Sequence, residues 1–216
     1  MTDSTHHVVV LDCNIILTLA SHFDGSFTPS EVKALVARSA VRATSQSILN
    51  AARAFMLATR GETFTGQPIS FVTSRHILNT VIHKATQPSQ GPTQEQQGLG
   101  LHRRVAEDLS DFFENLSMDS FGSVIEPHQQ VAENTPPLDH EDGMVYGLCR
   151  FLSGMDSRFH VWCVTSDRDF IAHAKTFERA NFIRVVAPGE FVNHHQRLLV
   201  AAMRSGGSAP DVRSQR

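Results

Sequence analysis

Five acids lie directly after an apolar run or at the start of a predicted helix: Asp12, Asp139, Asp142, Asp167 and Asp169. The apolar runs at residues 8–11 and 161–164 are short and rich in Val, which is typical of strands buried in a parallel sheet. The carboxyl ends of parallel strands share one edge of the sheet, so we expect these acids to meet there. Crowded carboxylates repel one another unless they bind a hard divalent cation, which predicts a Mg²⁺ or Mn²⁺ site.

Each acid also has a simpler interpretation when it is considered alone. An Asp after a strand often forms a turn or caps a helix, and acids in the first turn of a helix compensate its dipole. Asn14 follows Asp12 by two residues, and a turn with no other role rarely needs two polar groups. One shared site explains the three acidic segments better than three coincidences do.

The elements that must position these acids alternate along the chain between strands and helices. The predicted strands are residues 8–11, 69–72, 161–164 and 183–186, with a further small strand at 124–125. Helices are predicted between them at about 101–116, from the acids at 139–142 to about 152, and at 188–204. This alternation predicts an α/β fold whose parallel sheet carries helices on both faces.

The length of 216 residues and the hydrophobic content of 41% suit one domain with a sizeable core. We expect a single domain over residues 1–204, with a helical hairpin at about 30–61. Residues 87–100 are rich in Gln, Pro and Gly and are predicted to form a mobile loop, and residues 205–216 a disordered tail.

Charge and composition exclude several classes of protein. A formal net charge of -3 provides no general basic field, so any nucleic acid must bind to a local patch. The three cysteines form no C-x-x-C pair, which argues against a disulfide framework or a structural zinc site. The 12 histidines show no H-E-x-x-H spacing. No apolar run is long enough to cross a membrane and the N-terminus lacks a basic signal region, so we expect a cytoplasmic protein without membrane contact.

The segments that contain the acids resemble the motifs of the PIN domain family. Residues 8–17 match an apolar strand followed by Asp, a small residue, Asn and a second apolar run. Residues 139–145 resemble the Asp-x-x-Asp helix opening, and residues 164–170 resemble Val-Thr-x-Asp-x-Asp-Phe. The resemblance extends over roughly residues 8–186. It implies a three-layer α/β/α fold with a central parallel sheet and an acidic pocket at the carboxyl edge of the strands.

The resemblance also implies an activity, since many PIN domains are metal-dependent ribonucleases, including the VapC-type toxins of toxin–antitoxin pairs. It predicts a Mg²⁺- or Mn²⁺-dependent endoribonuclease. The catalytic, metal-binding acids would be Asp12, Asp142 and Asp167. The supporting residues would be Asn14, Asn79, Asp139 and Asp169.

One departure from the family pattern concerns the helix after the second strand, where the family usually has a Glu. This chain has Asn79 or Thr80 in that region, and a neutral ligand weakens cation binding. The alternative interpretation is therefore a catalytically weak PIN-like module that binds RNA or a protein. Glu141 either turns into the site to compensate or faces solvent.

The partner expected from this interpretation is an RNA substrate, and four residues are candidates to contact its phosphates: Arg75, His76, Lys84 and Arg168. The alternative for them is an ordinary solvated helix face. By resemblance, an antitoxin protein docking on the helical hairpin and a homodimer are further candidates. A DNA nuclease of the flap-endonuclease kind is less favoured, because the chain lacks the extra basic and helical elements that grip duplex DNA.

Overall fold

Four short runs of mostly β-branched and aromatic residues form one parallel sheet: β1 (His6–Leu11), β2 (Ile69–Val72), β3 (Phe159–Val164) and β4 (Ile183–Val186). The structure is a computed structural model, and it describes residues 5–38, 44–90, 98–126, 138–176 and 182–205. Within these ranges eight helices accompany the sheet: α1 (Cys13–His22), α2 (Pro29–Arg38), α3 (Gln46–Ala58), α4 (Arg75–Thr86), α5 (Arg103–Phe121), α6 (His140–Met155), α7 (Arg168–Ala174) and α8 (Pro188–Arg204).

The strand order β2-β1-β3-β4 places β1 in the interior of the sheet. In the register of the ladders, Val9 lies opposite Phe71 of β2 and Trp162 of β3. The ladder continues past the strand ends, because the Asp12 N–H donates to the Val164 carbonyl at 3.0 Å and the Thr165 N–H donates to the Val186 carbonyl at 3.0 Å. The backbones of Asp12 and Thr165 are therefore fixed at the same edge of the sheet.

Helices cover both faces of the sheet. The Trp162 ring packs against Phe191 and His195 of α8, with centroids 5.5 and 5.2 Å away. The next residue, Cys163, interacts with Cys149 of α6. Successive strand residues point to opposite faces, so α8 and α6 lie on opposite sides of β3. The predicted α/β architecture, with a parallel sheet between helices, is confirmed.

Helix α5 covers the outer edge of β2. The backbone N–H of Phe71 donates to the Ser120 hydroxyl at 2.6 Å, and that of Thr73 donates to the Ser117 hydroxyl at 3.2 Å. These two serines satisfy donors that an edge strand would otherwise leave open for pairing with another chain. Phe113 of α5 packs edge-on against Phe71, which joins the helix to the core.

Two features next to the strands differ from the sequence-based expectation. Helix α1 was not predicted, although its buried residues Ile15, Ile16, Leu19 and Ala20 follow a helical spacing and Ser21 and His22 are exposed. Residues 124–125 form no strand, and Ile125 makes a single bridge to Ser74.

The segment predicted as a hairpin contains α2 and α3, which pack against each other. Helix α2 is capped by Thr28, two residues before the expected cap Ser30, because Thr28 and Glu31 bond to each other and Ser30 lies inside the helix. Of the predicted mobile loop, residues 91–97 lie outside the described residues, as do residues 206–216 of the predicted tail. In the parts that are described, no helix has both the length and the apolar character needed to cross a bilayer.

Candidate functional site

Asp12 lies at the end of β1 and caps α1. Its side chain is 5% exposed. Oδ1 accepts a hydrogen bond from the Cys13 N–H at 2.6 Å, and Oδ2 accepts one from the Asn14 amide at 2.6 Å and one from the Thr165 hydroxyl at 2.7 Å. Burial raises the pKa of the Asp12 carboxyl and the charge of Glu141 adds to this, while the bonds from Thr165 and Cys13 oppose it.

Thr165 connects the ends of β1 and β3 through a fully buried hydroxyl. The hydroxyl donates to Asp12 and accepts from the Asn14 amide at 2.8 Å and from the Asp167 N–H at 3.0 Å. Asn14 completes the network, because its carbonyl oxygen accepts from the Ser166 N–H at 3.0 Å. One threonine and one asparagine thus hold Asp12 in place and orient the turn that carries Asp167.

The other predicted acids are helix caps as well as candidate ligands. The Asp139 carboxylate caps α6 by accepting from the Asp142 N–H at 2.8 Å. The Asp167 carboxylate caps α7 by accepting from the N–H groups of Asp169 and Phe170 at 2.8 and 3.0 Å. Asp169 is exposed in the first turn of α7. Asp139 and Asp167 therefore do act as helix caps, as the simpler interpretation has it. Capping uses only one oxygen of each carboxylate and leaves the second one available.

Asp142 experiences the charges of the surrounding acids. Burial and the negative charges of Asp139, Asp12, Asp167 and Glu141, in decreasing order, raise the pKa of its carboxyl to about 7. Such a shift requires that these side chains lie near Asp142, because charges more than a Debye length apart are screened. We call the five residues Asp12, Asp139, Glu141, Asp142 and Asp167 the acid cluster.

Glu141 turns toward the end of β1 instead of facing solvent. Its Oε1 lies 2.6 Å from the Lys84 ammonium and accepts from the Cys13 thiol at 3.2 Å. Both side chains of the ion pair are about one-third exposed, at 33% and 34%. Burial lowers the pKa of Lys84, but the negative groups around it outweigh burial, so the net direction is upward and the ammonium stays charged. A protein cation therefore lies inside the acid cluster.

The face of α4 that points to the acid cluster contains Lys84, not Asn79. His76 and Lys84 both experience the charge of Glu141. They lie two helical turns apart, so Thr80 lies between them on the same face. Asn79 is exposed on a different face. The prediction that Asn79 supports the site is therefore not favoured by its position, and Thr80 occupies that place.

Three of the four predicted RNA contacts have surroundings that limit this role. The Arg75 guanidinium forms two hydrogen bonds to Glu114, at 2.7 and 2.9 Å, and lies 3.6 Å from Glu126. Lys84 is paired with Glu141, and His76 is half-buried with its pKa lowered chiefly by burial. Only Arg168 of the four is exposed.

Whether a cation fits the acid cluster depends on which oxygens are free. In the described part of the chain, no three His, Cys, Asp or Glu side chains are grouped in an arrangement that would hold a metal ion. Asp12 already accepts three hydrogen bonds and Glu141 is paired with Lys84. The oxygens left to bind a cation are those of Asp142 and the second carboxylate oxygens of Asp139 and Asp167, and such hard ligands suit Mg²⁺ or Mn²⁺. The predicted ligand set of Asp12, Asp142 and Asp167 stays a prediction.

The predicted docking surface for an antitoxin on the helical hairpin is not favoured by the structure. Among the described residues of that segment, no large hydrophobic side chain is exposed, because those of α2 and α3 pack into or against the core. The exposed large hydrophobic residues lie elsewhere, and three of them are on the second half of α8: Leu198, Val200 and Met203.

The sequence analysis missed one residue of the site and one contact between residues that it had named. Thr165 is part of the Val-Thr-x-Asp motif, so the motif itself could have identified it. The Lys84–Glu141 pair joins residues 57 positions apart and left no local signal. No family model matches the chain, and the searches of the curated proteins and of the solved structures found no match either.

Proposed function

We propose that the chain is a metal-dependent endoribonuclease of the PIN type, with the acid cluster as its active site. The observation that supports this most directly is the crowding of carboxylates around Asp142, which raises the pKa of that group to about 7. Folding would rarely maintain such repulsion without a use for it, and groups with strongly shifted pKa values concentrate at functional sites.

The residues of the chain would divide the work between holding a cation and fixing the geometry. A bound Mg²⁺ or Mn²⁺ would supply charge neutralisation at the scissile phosphate and a lowered pKa for an attacking water. Asp142 and Asp167 have carboxylate oxygens available for it. Asp12 would contribute its remaining lone pairs from a position that Thr165 and Asn14 fix. A ligand that is fixed before binding loses less entropy when the ion arrives.

Lys84 favours one cation over two. Its ammonium lies 2.6 Å from Glu141 in the region where the family pattern would supply a further carboxylate. A positive side chain there lowers the demand for a second metal ion and repels one. We therefore propose a single divalent cation, with Lys84 and Glu141 as a fixed pair beside it.

Cleavage of mixed single-stranded RNA and transfer RNA tests the proposal. We expect cutting with Mn²⁺ or Mg²⁺, no cutting with EDTA, and a loss of at least about a hundredfold in Asp142→Asn, because metal-site residues carry effects of this size or more. The matched control is Asp111→Asn, which removes an exposed carboxylate on α5 and should cut like the wild type. Cleavage that survives Asp142→Asn would falsify the assignment. A parallel assay with DNA of the same sequence distinguishes the flap-endonuclease alternative.

A second candidate function is a catalytically weak module that binds RNA or a protein. It is favoured by Thr80 and Lys84, which occupy the face of α4 where a carboxylate is expected, and by the engaged oxygens of Asp12. Calorimetric titration with Mn²⁺ separates the two proposals. Absence of binding, together with no cleavage under any metal, would favour the module.

A further inference from the structure

A groove of about 670 Å³ runs along the outer side of β4, between the strand and α8. It lies apart from the acid cluster on the sheet, beside the strand that ends the order β2-β1-β3-β4. Three cations line it, Lys175, Arg184 and Arg197, against one acid, Glu190. The groove therefore has a positive balance on a chain whose formal net charge is -3.

The cations of the groove are available to a ligand. Within the described residues, no carboxylate is in ion-pair contact with Lys175, Arg184 or Arg197, whereas Arg75, Lys84, Arg103 and Arg158 are all paired with acids. The Arg184 guanidinium instead lies over the Trp162 ring, 5.3 Å from its centroid. An arginine that lies on an aromatic floor keeps its donors free for a planar anion such as a phosphate.

Aromatic rings lie next to these cations. Phe182 is 60% exposed, although it is a large apolar side chain, and it stacks on the ring of His160 with centroids 5.2 Å apart and an angle of 12°. Burial and then the charge of Arg184 lower the pKa of His160, so its ring is neutral at physiological pH. Trp162 is buried and serves only as the floor of the groove. The outer face of Phe182 remains open to a further ring.

Cations that bind phosphates and an exposed ring that stacks on bases are the two features of sites for single-stranded nucleic acid. We propose that the groove binds a single strand of nucleic acid, with Arg184 and Arg197 contacting its phosphates and Phe182 stacking on a base. At the end of the groove, the backbone of Val186 is next to that of Thr165 in the sheet, because the Val186 carbonyl accepts the Thr165 N–H. The idea that the groove holds the substrate of the nuclease rests on the proposed function, but the binding of nucleic acid to the groove does not.

Fluorescence anisotropy of a labelled single-stranded RNA, measured in EDTA with the full chain, tests the groove without any cleavage. We expect Arg184→Ala combined with Arg197→Ala to weaken binding by at least about tenfold and to reduce the slope of log K against log salt by about 0.7 for each cation removed. Phe182→Leu should weaken binding by about fivefold or more at an unchanged slope, because it removes stacking and no charge. The control Arg103→Ala removes an exposed cation on α5, outside the groove and paired with Glu107, and should bind like the wild type.

Further arms of the experiment identify the ligand. Measuring the same sequence as DNA shows which of the two nucleic acids binds more tightly. Tighter binding of either one supports the proposal, provided that the groove variants lose this binding. Competition by poly-glutamate at equal charge concentration, or unchanged affinity in Phe182→Leu and the double variant, overturns it. The variants replace exposed side chains, and their Tm values should match the wild type.

The two proposals fail separately. Loss of binding in the groove variants with no metal-dependent cleavage by the wild type leaves the groove standing and removes the nuclease. Metal-dependent cleavage by the wild type, with unchanged RNA binding and unchanged KM in the groove variants, leaves the nuclease standing and removes the groove.

Discussion

The acid cluster at the carboxyl ends of the strands and the cationic groove beside β4 belong to one sheet, but they are built in opposite ways. In the acid cluster, buried hydrogen bonds fix Asp12 on both oxygens. In the groove, the side chains of Arg184 and Phe182 are exposed, and Arg184 contacts a ring instead of an acid.

This difference shows how one fold supports two kinds of chemistry. Cation binding needs oxygens held to within a fraction of an ångström, and a buried network provides that at the cost of repulsion among the acids. A flexible strand needs cations and rings that adapt to it, and an open groove provides them. We expect substitutions in the acid cluster to change stability and metal binding, and substitutions in the groove to change RNA binding alone.

The largest effect is expected for Thr165→Val, which keeps the shape of the side chain and removes its hydroxyl. Asp12 loses one buried donor and the Asp167 N–H loses its acceptor, so the free energy of unfolding should fall by about 1–3 kcal/mol. A domain of this size loses about 2–4 °C in Tm for each kcal/mol. Thermal unfolding followed by circular dichroism measures the change.

Thr165→Ser is the matched control, because it retains the hydroxyl and removes only a methyl group. It should recover most of the Tm and the nuclease activity. Equal destabilisation by Val and by Ser would mean that the methyl group matters and that the hydroxyl network does not fix the site.

A smaller effect, of opposite sign, is expected for Asp142→Asn in EDTA. The pKa of Asp142 is raised to about 7, so the native state holds a proton that the unfolded state releases near pH 4. The stability that comes from this proton is complete below pH 4 and is lost as pH rises to 7. Removing the charge should therefore raise Tm above pH 7, by about 2–4 °C for each kcal/mol of repulsion relieved, raise it less at pH 5, and change it little below pH 4.

The pH dependence of this difference is the informative measurement. Asp111→Asn, at an exposed position on α5, should give a Tm difference that is the same at pH 5 and pH 8.5. If Asp142→Asn also gave a constant difference, the acids would not be crowded in solution. Addition of Mn²⁺ at pH 8.5 should stabilise the wild type and not the variant.

The sequence predicted the sheet well, and it predicted the acid cluster in part. All four strands are short apolar runs, and the rule that strand ends share an edge was enough to bring Asp12 and Asp167 together. Helix α1 was missed because its apolar residues 15–17 and 19–20 are nearly continuous in the sequence, which hides the helical spacing of the buried ones. A short helix and a short strand are difficult to distinguish from such an apolar run.

Side-chain direction on helices was the main part that the sequence did not predict. One residue turns a helix by about 100°, so Asn79 and Thr80 face different ways although they are neighbours. Which of them meets the acid cluster depends on how α4 packs on the sheet. The same packing brings Lys84 to Glu141 and joins Thr165 to Asp12 across 153 positions, and no local pattern encodes such distances.

The smallest effect on stability is expected for Lys84→Met. Its effect on metal binding tests whether Lys84 repels a divalent cation from the acid cluster. The Lys84–Glu141 pair is one-third exposed, so its loss should change the free energy of unfolding by no more than about 1 kcal/mol.

The Lys84→Met substitution also removes the one cation seen inside the described acid cluster, and a divalent ion would no longer be repelled by it. Calorimetry should show Mn²⁺ binding that is tighter by about threefold to tenfold, which corresponds to about 0.7–1.4 kcal/mol. Lys33→Met on the exposed face of α2 should leave Mn²⁺ affinity unchanged. Weaker Mn²⁺ binding in Lys84→Met would mean instead that the ammonium holds Glu141 in place as a ligand, and the single-cation proposal would then have to be replaced.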